Sequence, residues 1–203
     1  MMNMQRKQIV VIHGGEAFDT YEEYLEYLRM CPYDPFEVRV DGWKENLPQV
    51  LGNDFEVIAP LMPSGLLNAK FEEWSIWFEK LIPYLRDDAI FIGHSLGANF
   101  LAKYFSLHDM PKKVGDVYLI AGCFGWKGGF ELPESLQKFS DQAASVVIFH
   151  SRDDEIAPFS DAEKYQSAIE GSEIIAFEDR GHFNRSHPKG ADLPELVEMI
   201  TVL

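Results

Sequence analysis

Basic residues are scarce in this chain. Eighteen lysines and arginines face 33 aspartates and glutamates, a formal net charge of −15. Nucleic acids and anionic membrane surfaces are held by clustered Lys and Arg, so the sequence points to neither as a partner. Cysteine is nearly absent too. Cys31 and Cys123 stand far apart and can build neither a disulfide framework nor a Cys-rich zinc site, which fits a reducing, cytoplasmic setting. No apolar run reaches the length of a membrane span, and Met1 to Lys7 is too short and polar for a signal peptide. Repeats, low-complexity tracts and linkers are also missing. With 203 residues, 46% of them hydrophobic, the chain suits one domain, 1–203, with a sizeable core.

The most informative stretch is Ala89-Ile90-Phe91-Ile92-Gly93-His94-Ser95-Leu96-Gly97-Ala98-Asn99. Four apolar residues read as a buried strand, then comes Gly-X-Ser-X-Gly, and Phe100 to Phe105 reads as a helix. That order is a nucleophile elbow, a sharp turn that projects a serine hydroxyl above the sheet edge. The five-residue pattern alone arises by chance roughly 0.07 times in a chain this long. The flanking strand and helix make it specific.

The remaining chain supplies alternating strands and helices. Continuous apolar runs predict strands at 8–12, 55–60, 117–121, 145–150 and 173–177. Helical spacing marks 18–30, capped by Asp19 or Thr20, and 43–51, with Asp41 as a possible cap. A long helix is expected from about Asn68 to Leu85, with Phe71, Trp74, Trp77, Phe78, Leu81, Ile82 and Leu85 on one core-facing stripe. Shorter helices are expected at 133–139, at 158–169 with Pro158 in its first position, and at 192–203. Six strands, several apolar on both faces, imply an α/β three-layer sandwich: a mostly parallel sheet with helices on both sides.

A serine hydroxyl needs a base to take its proton and an acid to orient that base. In a fold with this elbow the partners follow in the order Ser, Asp or Glu, His, on loops at the C-terminal ends of later strands. After the strand ending at His150 stand Asp153, Asp154 and Glu155. Asp154, four residues before the helix-opening Pro158, is the expected acid, with Asp153 as the fallback in a turn or cap role. After the last strand, Gly181-His182-Phe183 offers His182 as the base, ahead of His187, which lies further from the strand. Oxyanion donors are expected from the N–H of Leu96 and from the loop His13-Gly14-Gly15, at Gly15 or, one residue on, Glu16. His13 and His94 are given packing or hydrogen-bonding roles. His94, Phe124 and Trp126 are expected against the substrate, and Phe130 and the aromatics of 18–53 are further candidate pocket walls. His108 and His150 have no companion at metal-ligand spacing, so no metal is expected.

These motifs together resemble the alpha/beta-hydrolase superfamily. Val-Val-Ile-His-Gly-Gly at 10–15, Gly-His-Ser-Leu-Gly at 93–97, Asp154 before Ala-Pro, and Gly-His-Phe at 181–183 carry the likeness over nearly the whole chain. Within the superfamily the chain is similar to the small serine hydrolases of the retinoblastoma-binding protein 9-like group. The resemblance implies a Ser-His-Asp hydrolase with no cofactor, acting on a small-molecule ester, or less readily a thioester or amide. The chain departs from the pattern of larger relatives, whose first strands and long cap domain are not expected in it. Two other outcomes are consistent with the residues: an acyltransferase or perhydrolase using the same acyl-enzyme, and a protein-interaction module on the same fold with a protein partner. Oligomeric state is not legible.

Overall fold

The computed structural model describes residues 6–36 and 42–202. Six strands, β1 (Lys7–Ile12), β2 (Phe55–Ile58), β3 (Ala89–His94), β4 (Val114–Ile120), β5 (Ala143–Ser151) and β6 (Glu173–Phe177), form one sheet. Their order across it is β2-β1-β3-β4-β5-β6, and every pairing is parallel. β1 therefore lies next to one edge; the chain steps out to that edge at β2, returns through β3 on the other side of β1 and proceeds to the far edge. The connections leaving β1 and β3 run to opposite faces, so the winding reverses between these two strands, which is where open parallel sheets place their sites.

Successive side chains of a strand point to opposite faces, and each face here has its own core. Val10, Ile12, Phe91, Val117, Leu119, Val146 and Ile148 face one side. Ile9, Val11, Ile90, Ile92, Tyr118, Ile120, Val147 and Phe149 face the other. Burial on both faces is why these strands read as unbroken apolar runs. The first core is closed by α3 (Phe71–Glu79), α4 (Leu96–Leu107), α5 (Gln137–Gln142) and α6 (Phe159–Ala168), through Trp74, Phe78, Phe100, Phe105, Phe139 and Tyr165. The second is closed by α2 (Trp43–Leu51) and α7 (Pro194–Val202), through Trp43, Leu47, Leu196 and Ile200. The expected three-layer α/β sandwich is the observed one.

Several boundaries differ from the sequence reading. The helix expected over 68–85 is α3 alone, followed by a 3₁₀ turn at Ile82–Tyr84. Pro83 has no N–H to continue an α-helical ladder, so the last turn tightens instead. Its stripe is also narrower than expected: Trp74 is fully buried, but Trp77 is 46% exposed. The first helix is α1 (Tyr21–Met30), and Thr20 is its cap, its hydroxyl accepting the N–H of Glu23 at 3.1 Å. None of the residues of α1 is buried. Asp41, the expected cap of α2, lies outside the described residues; Gly42 occupies the cap position, and its N–H donates to Glu45 at 2.9 Å. Pro158 is the residue before α6 rather than its first, with extended ψ. The short helix expected at 133–139 forms three to four residues later, as α5.

Candidate active site

The elbow sits between β3 and α4. Ser95 has φ 55° and ψ −122°, a backbone region that side chains rarely adopt, so the turn is strained at the serine. Its glycines are required by close approach. A Cβ on Gly93 would meet the carbonyl of Gly97 at 2.6 Å, and one on Gly97 would run into the carbonyl of Ile12 in β1. The strain is held from outside, because the Ser95 N–H donates to the Ile120 carbonyl at the end of β4.

Ser95, Asp154 and His182, far apart in sequence, meet at the C-terminal edge of the sheet. His182 Nε2 lies 2.8 Å from Ser95 Oγ, and His182 Nδ1 lies 2.8 Å from Asp154 Oδ2. The other Asp154 oxygen accepts the N–H groups of Ile156 and Ala157, each at 2.9 Å. Burial alone would raise the Asp154 carboxyl, but the hydrogen bond from His182 and the two backbone donors outweigh it and hold the pKa below its ordinary value. A carboxylate so placed accepts at Nδ1–H, which leaves the lone pair of His182 Nε2 facing the serine hydroxyl.

Asp153 has a different place. It accepts from Ser151 Oγ at 2.5 Å and from the N–H of Gly181 at 2.9 Å, and lies 3.4 Å from His187 Nε2. It braces the turn that carries His182 and does not touch the imidazole of His182. His187, the other histidine of this loop, packs against Gly181.

The loop after β1 is fixed by His13. Its Nε2 accepts the N–H of Met62 at 2.9 Å, so the ring proton sits on Nδ1, 2.5 Å from the carbonyl of Gly14. Burial lowers the His13 pKa, which keeps the ring neutral. A Cβ on Gly14 would stand 2.9 Å from the Ser95 Cβ, so the loop passes directly over the serine. The Glu16 N–H is committed to the Leu66 carbonyl at 2.8 Å. Among the described residues, neither Gly15 nor Leu96 donates its N–H within the chain. Glu16 itself has its pKa raised by burial, against the opposing influence of His182.

A cavity of about 440 Å³ opens over the serine, walled by Tyr27, Trp43, Leu66, Trp126 and Ile156, with Lys44 and Arg185 at its border. Trp126 is in the lining of this cavity, and its indole N–H has no partner among the described residues. Phe124 does not line this cavity; its ring packs edge-on against Tyr165 at 5.1 Å. Phe130 is buried between Phe71 and Trp74. His94 lines the cavity, with both ring nitrogens engaged, by Lys44 and by the carbonyl of His182. Lys44 drew no attention in the sequence, where a lysine in the first turn of a helix reads as a solvated charge. Among the described residues no group of His, Cys, Asp and Glu is arranged to hold a metal ion, and no helix is long and apolar enough to cross a membrane.

A family model described as serine hydrolase matches residues 39–199, the stretch holding Ser95, Asp154 and His182. The chain belongs to the serine hydrolase family. It is 21% identical over 184 residues to YdeN of Bacillus subtilis (strain 168), given as a hydrolase by name only, and the match covers 87% of this chain and 86% of that protein. The solved structure of the B. subtilis ydeN gene product superimposes with a TM-score of 0.72 at 19% identity, over 97% of both chains. An esterase from Exiguobacterium antarcticum superimposes with a TM-score of 0.61 at 16% identity, over 97% of this chain and 91% of that one. At these identities the likeness is one of fold, that of the alpha/beta-hydrolases.

Proposed function

We propose that this serine hydrolase cleaves carboxylic esters of small molecules through an acyl-enzyme on Ser95. The observation that carries this reading is the unbroken hydrogen-bonded line from Asp154 through His182 to Ser95, open to a cavity. In the first half-reaction His182 Nε2 takes the hydroxyl proton as Ser95 Oγ bonds to the ester carbonyl carbon. The carbonyl π pair moves onto oxygen, and the N–H groups of Leu96 and Gly15 receive that charge. Of the two registers open for the second donor we choose Gly15, because the Glu16 N–H is already spent on Leu66. The tetrahedral species collapses, the C–O bond to the alcohol breaks, and His182 returns the proton to the leaving oxygen. Water then repeats the sequence on the acyl-enzyme, with His182 as its base. Asp154 keeps the imidazole in one tautomer and stabilises its positive charge in both halves.

An ester fits better than an amide, because an alkoxide leaves with less help from a general acid and the cavity is small for a peptide. The Exiguobacterium antarcticum structure, titled an esterase, supports the same choice. Trp126 and Ile156 are assigned to the acyl or alcohol wall. Phe124, packed on Tyr165, acts behind that wall rather than on the substrate. Within the family we place the chain with the group like retinoblastoma-binding protein 9, on the same motifs and on the absence of a separate cap domain among the described residues.

The test is a series of p-nitrophenyl esters of graded acyl length, assayed with wild type and Ser95→Ala. Turnover that peaks at short acyl chains and vanishes in the folded variant is expected. Equal turnover by both proteins would overturn the proposal.

A further inference from the structure

The first two residues of α2 reach two consecutive carbonyls of the loop that carries His182. Trp43 Nε1–H donates to the carbonyl of Phe183 at 2.9 Å. Lys44 Nζ lies 3.1 Å from His94 Nδ1, and His94 Nε2 lies 2.9 Å from the carbonyl of His182. An ammonium only donates and a carbonyl only accepts, so one arrangement satisfies this line: Lys44 N–H to the Nδ1 lone pair, and His94 Nε2–H to the His182 oxygen. His94 must then be neutral. Burial holds its pKa well below the ordinary histidine value; the charges of Lys44, His182 and His13 act in the same direction, and the hydrogen bond to the His182 carbonyl opposes them without reversing the shift.

The loop needs such a hold. Gly181 has φ 53° and Phe183 has φ 49°, so left-handed backbone flanks His182 on both sides, and phenylalanine rarely adopts it. A residue in that region persists only when its surroundings enforce it.

Lys44 is an expensive choice for the purpose. Burial pulls its pKa down to about 8, with Glu45 on its own helix opposing the shift and Arg185 from the loop after β6 adding to it. No carboxylate of the described residues lies within ion-pairing distance of it. A charge half-withdrawn from water without a counter-ion costs stability, and such a cost is retained where function gains.

We propose that Lys44 is a positioning residue: acting through His94, it fixes the backbone of His182 and thereby the distance from the imidazole to Ser95. This rests on the acyl-enzyme reading above. Other charged or titratable groups lining the cavity around the pair are His13 and Glu16 from the loop after β1, Tyr27 from α1, Glu45 from α2, and His182 and Arg185 from the loop after β6. Above about pH 8 the ammonium becomes an amine, which can accept as well as donate. Its N–H donates more weakly to His94 Nδ1 and no longer excludes the other tautomer, so the hold of Nε2–H on the His182 carbonyl weakens.

The experiment compares wild type, Lys44→Met and Lys44→Arg on a neutral p-nitrophenyl ester, with fluorophosphonate labelling rates, melting temperatures and ring-nitrogen NMR. In Lys44→Met, kcat and the labelling rate fall together by about 10- to 100-fold, KM is unchanged, and the melting temperature at pH 7 equals or exceeds that of wild type. Wild-type kcat declines above about pH 8; Lys44→Arg, charged throughout that range, lacks the decline. Wild-type kcat in Lys44→Met, a change in KM alone, or a loss of kcat that tracks a lowered melting temperature would each overturn the proposal. The NMR spectrum stands apart from turnover. It shows His94 protonated on Nε2 in wild type and a tautomer mixture in Lys44→Met, so an inactive wild type with this spectrum counts against the acyl-enzyme reading and not against the hold.

Discussion

Asp154 and His182 share a 2.8 Å hydrogen bond in which the carboxylate has no remaining freedom, since two backbone N–H groups fix its other oxygen. Asp154→Asn therefore keeps its shape and loses its chemistry. An amide in that place turns its oxygen to the backbone donors and its NH₂ to His182, forcing the ring proton onto Nε2, where it faces Ser95. We expect kcat to fall by about 10⁴-fold with little change in the folded structure. Asp153→Asn is the control. Its oxygen still accepts from Ser151 and Gly181, and the half-exposed contact with His187 contributes little. Steady-state kinetics on both variants distinguishes the two acids, and a larger loss from Asp153→Asn would reverse their assignment.

The elbow stores strain that a smaller residue releases. Ser95→Gly removes the Cβ from a left-handed position and is expected to raise stability by about 1 kcal/mol while abolishing turnover. Chemical denaturation of Ser95→Gly against wild type checks this. An unchanged or lower midpoint would mean that the turn is not strained in solution.

Gly97 has no room for a side chain. A Cβ there collides with the carbonyl of Ile12 and comes within 2.7 Å of that of His13, the last backbone before Gly14 and Gly15. Gly97→Ala is expected to cost about 3 kcal/mol and to push the loop after β1 off the serine. The denaturation midpoint reads the first effect, and the rate of labelling in the folded fraction reads the second.

Acid should unfold this protein from the histidines first. Burial lowers the pKa of His13, His94 and His150. For a base whose folded pKa is depressed, the unfolded chain binds protons below about 6.5 while the native state does not, so stability falls as pH drops through that value. Asp154, also depressed, contributes stability above its unfolded value near 3.8 that disappears only at lower pH. Urea unfolding between pH 8 and 4 should show stability declining below about 6.5, with up to three protons taken up on unfolding. His150→Phe, which removes a fully buried ring with an unpartnered Nδ1, should make that slope shallower.

The strands and the Ser95, Asp154, His182 order were legible because each depends on local pattern. Runs such as Ile9 to Ile12 and Ile90 to Ile92 are apolar on both faces, and loops at strand ends follow the chain's own alternation of strand and helix. What escaped was set by tertiary contact. Pro83 turned the end of the expected long helix into a 3₁₀ turn, and Trp77 on the expected core stripe faces solvent. Phe124 and Trp126 are two residues apart in one loop, yet only Trp126 reaches the cavity. Lys44 looked like any surface lysine until β3 and the loop after β6 closed around it.

The central claim is that Ser95 is an activated nucleophile, and covalent labelling tests it most directly. Wild type, Ser95→Ala and His182→Ala would be treated with a fluorophosphonate probe, with intact mass to count adducts and circular dichroism to verify folding. The account predicts one adduct on wild type, none on folded Ser95→Ala, and labelling slowed by several orders of magnitude in His182→Ala. A well-folded wild type that takes no adduct, or a Ser95→Ala variant that is labelled as readily as wild type, would contradict it.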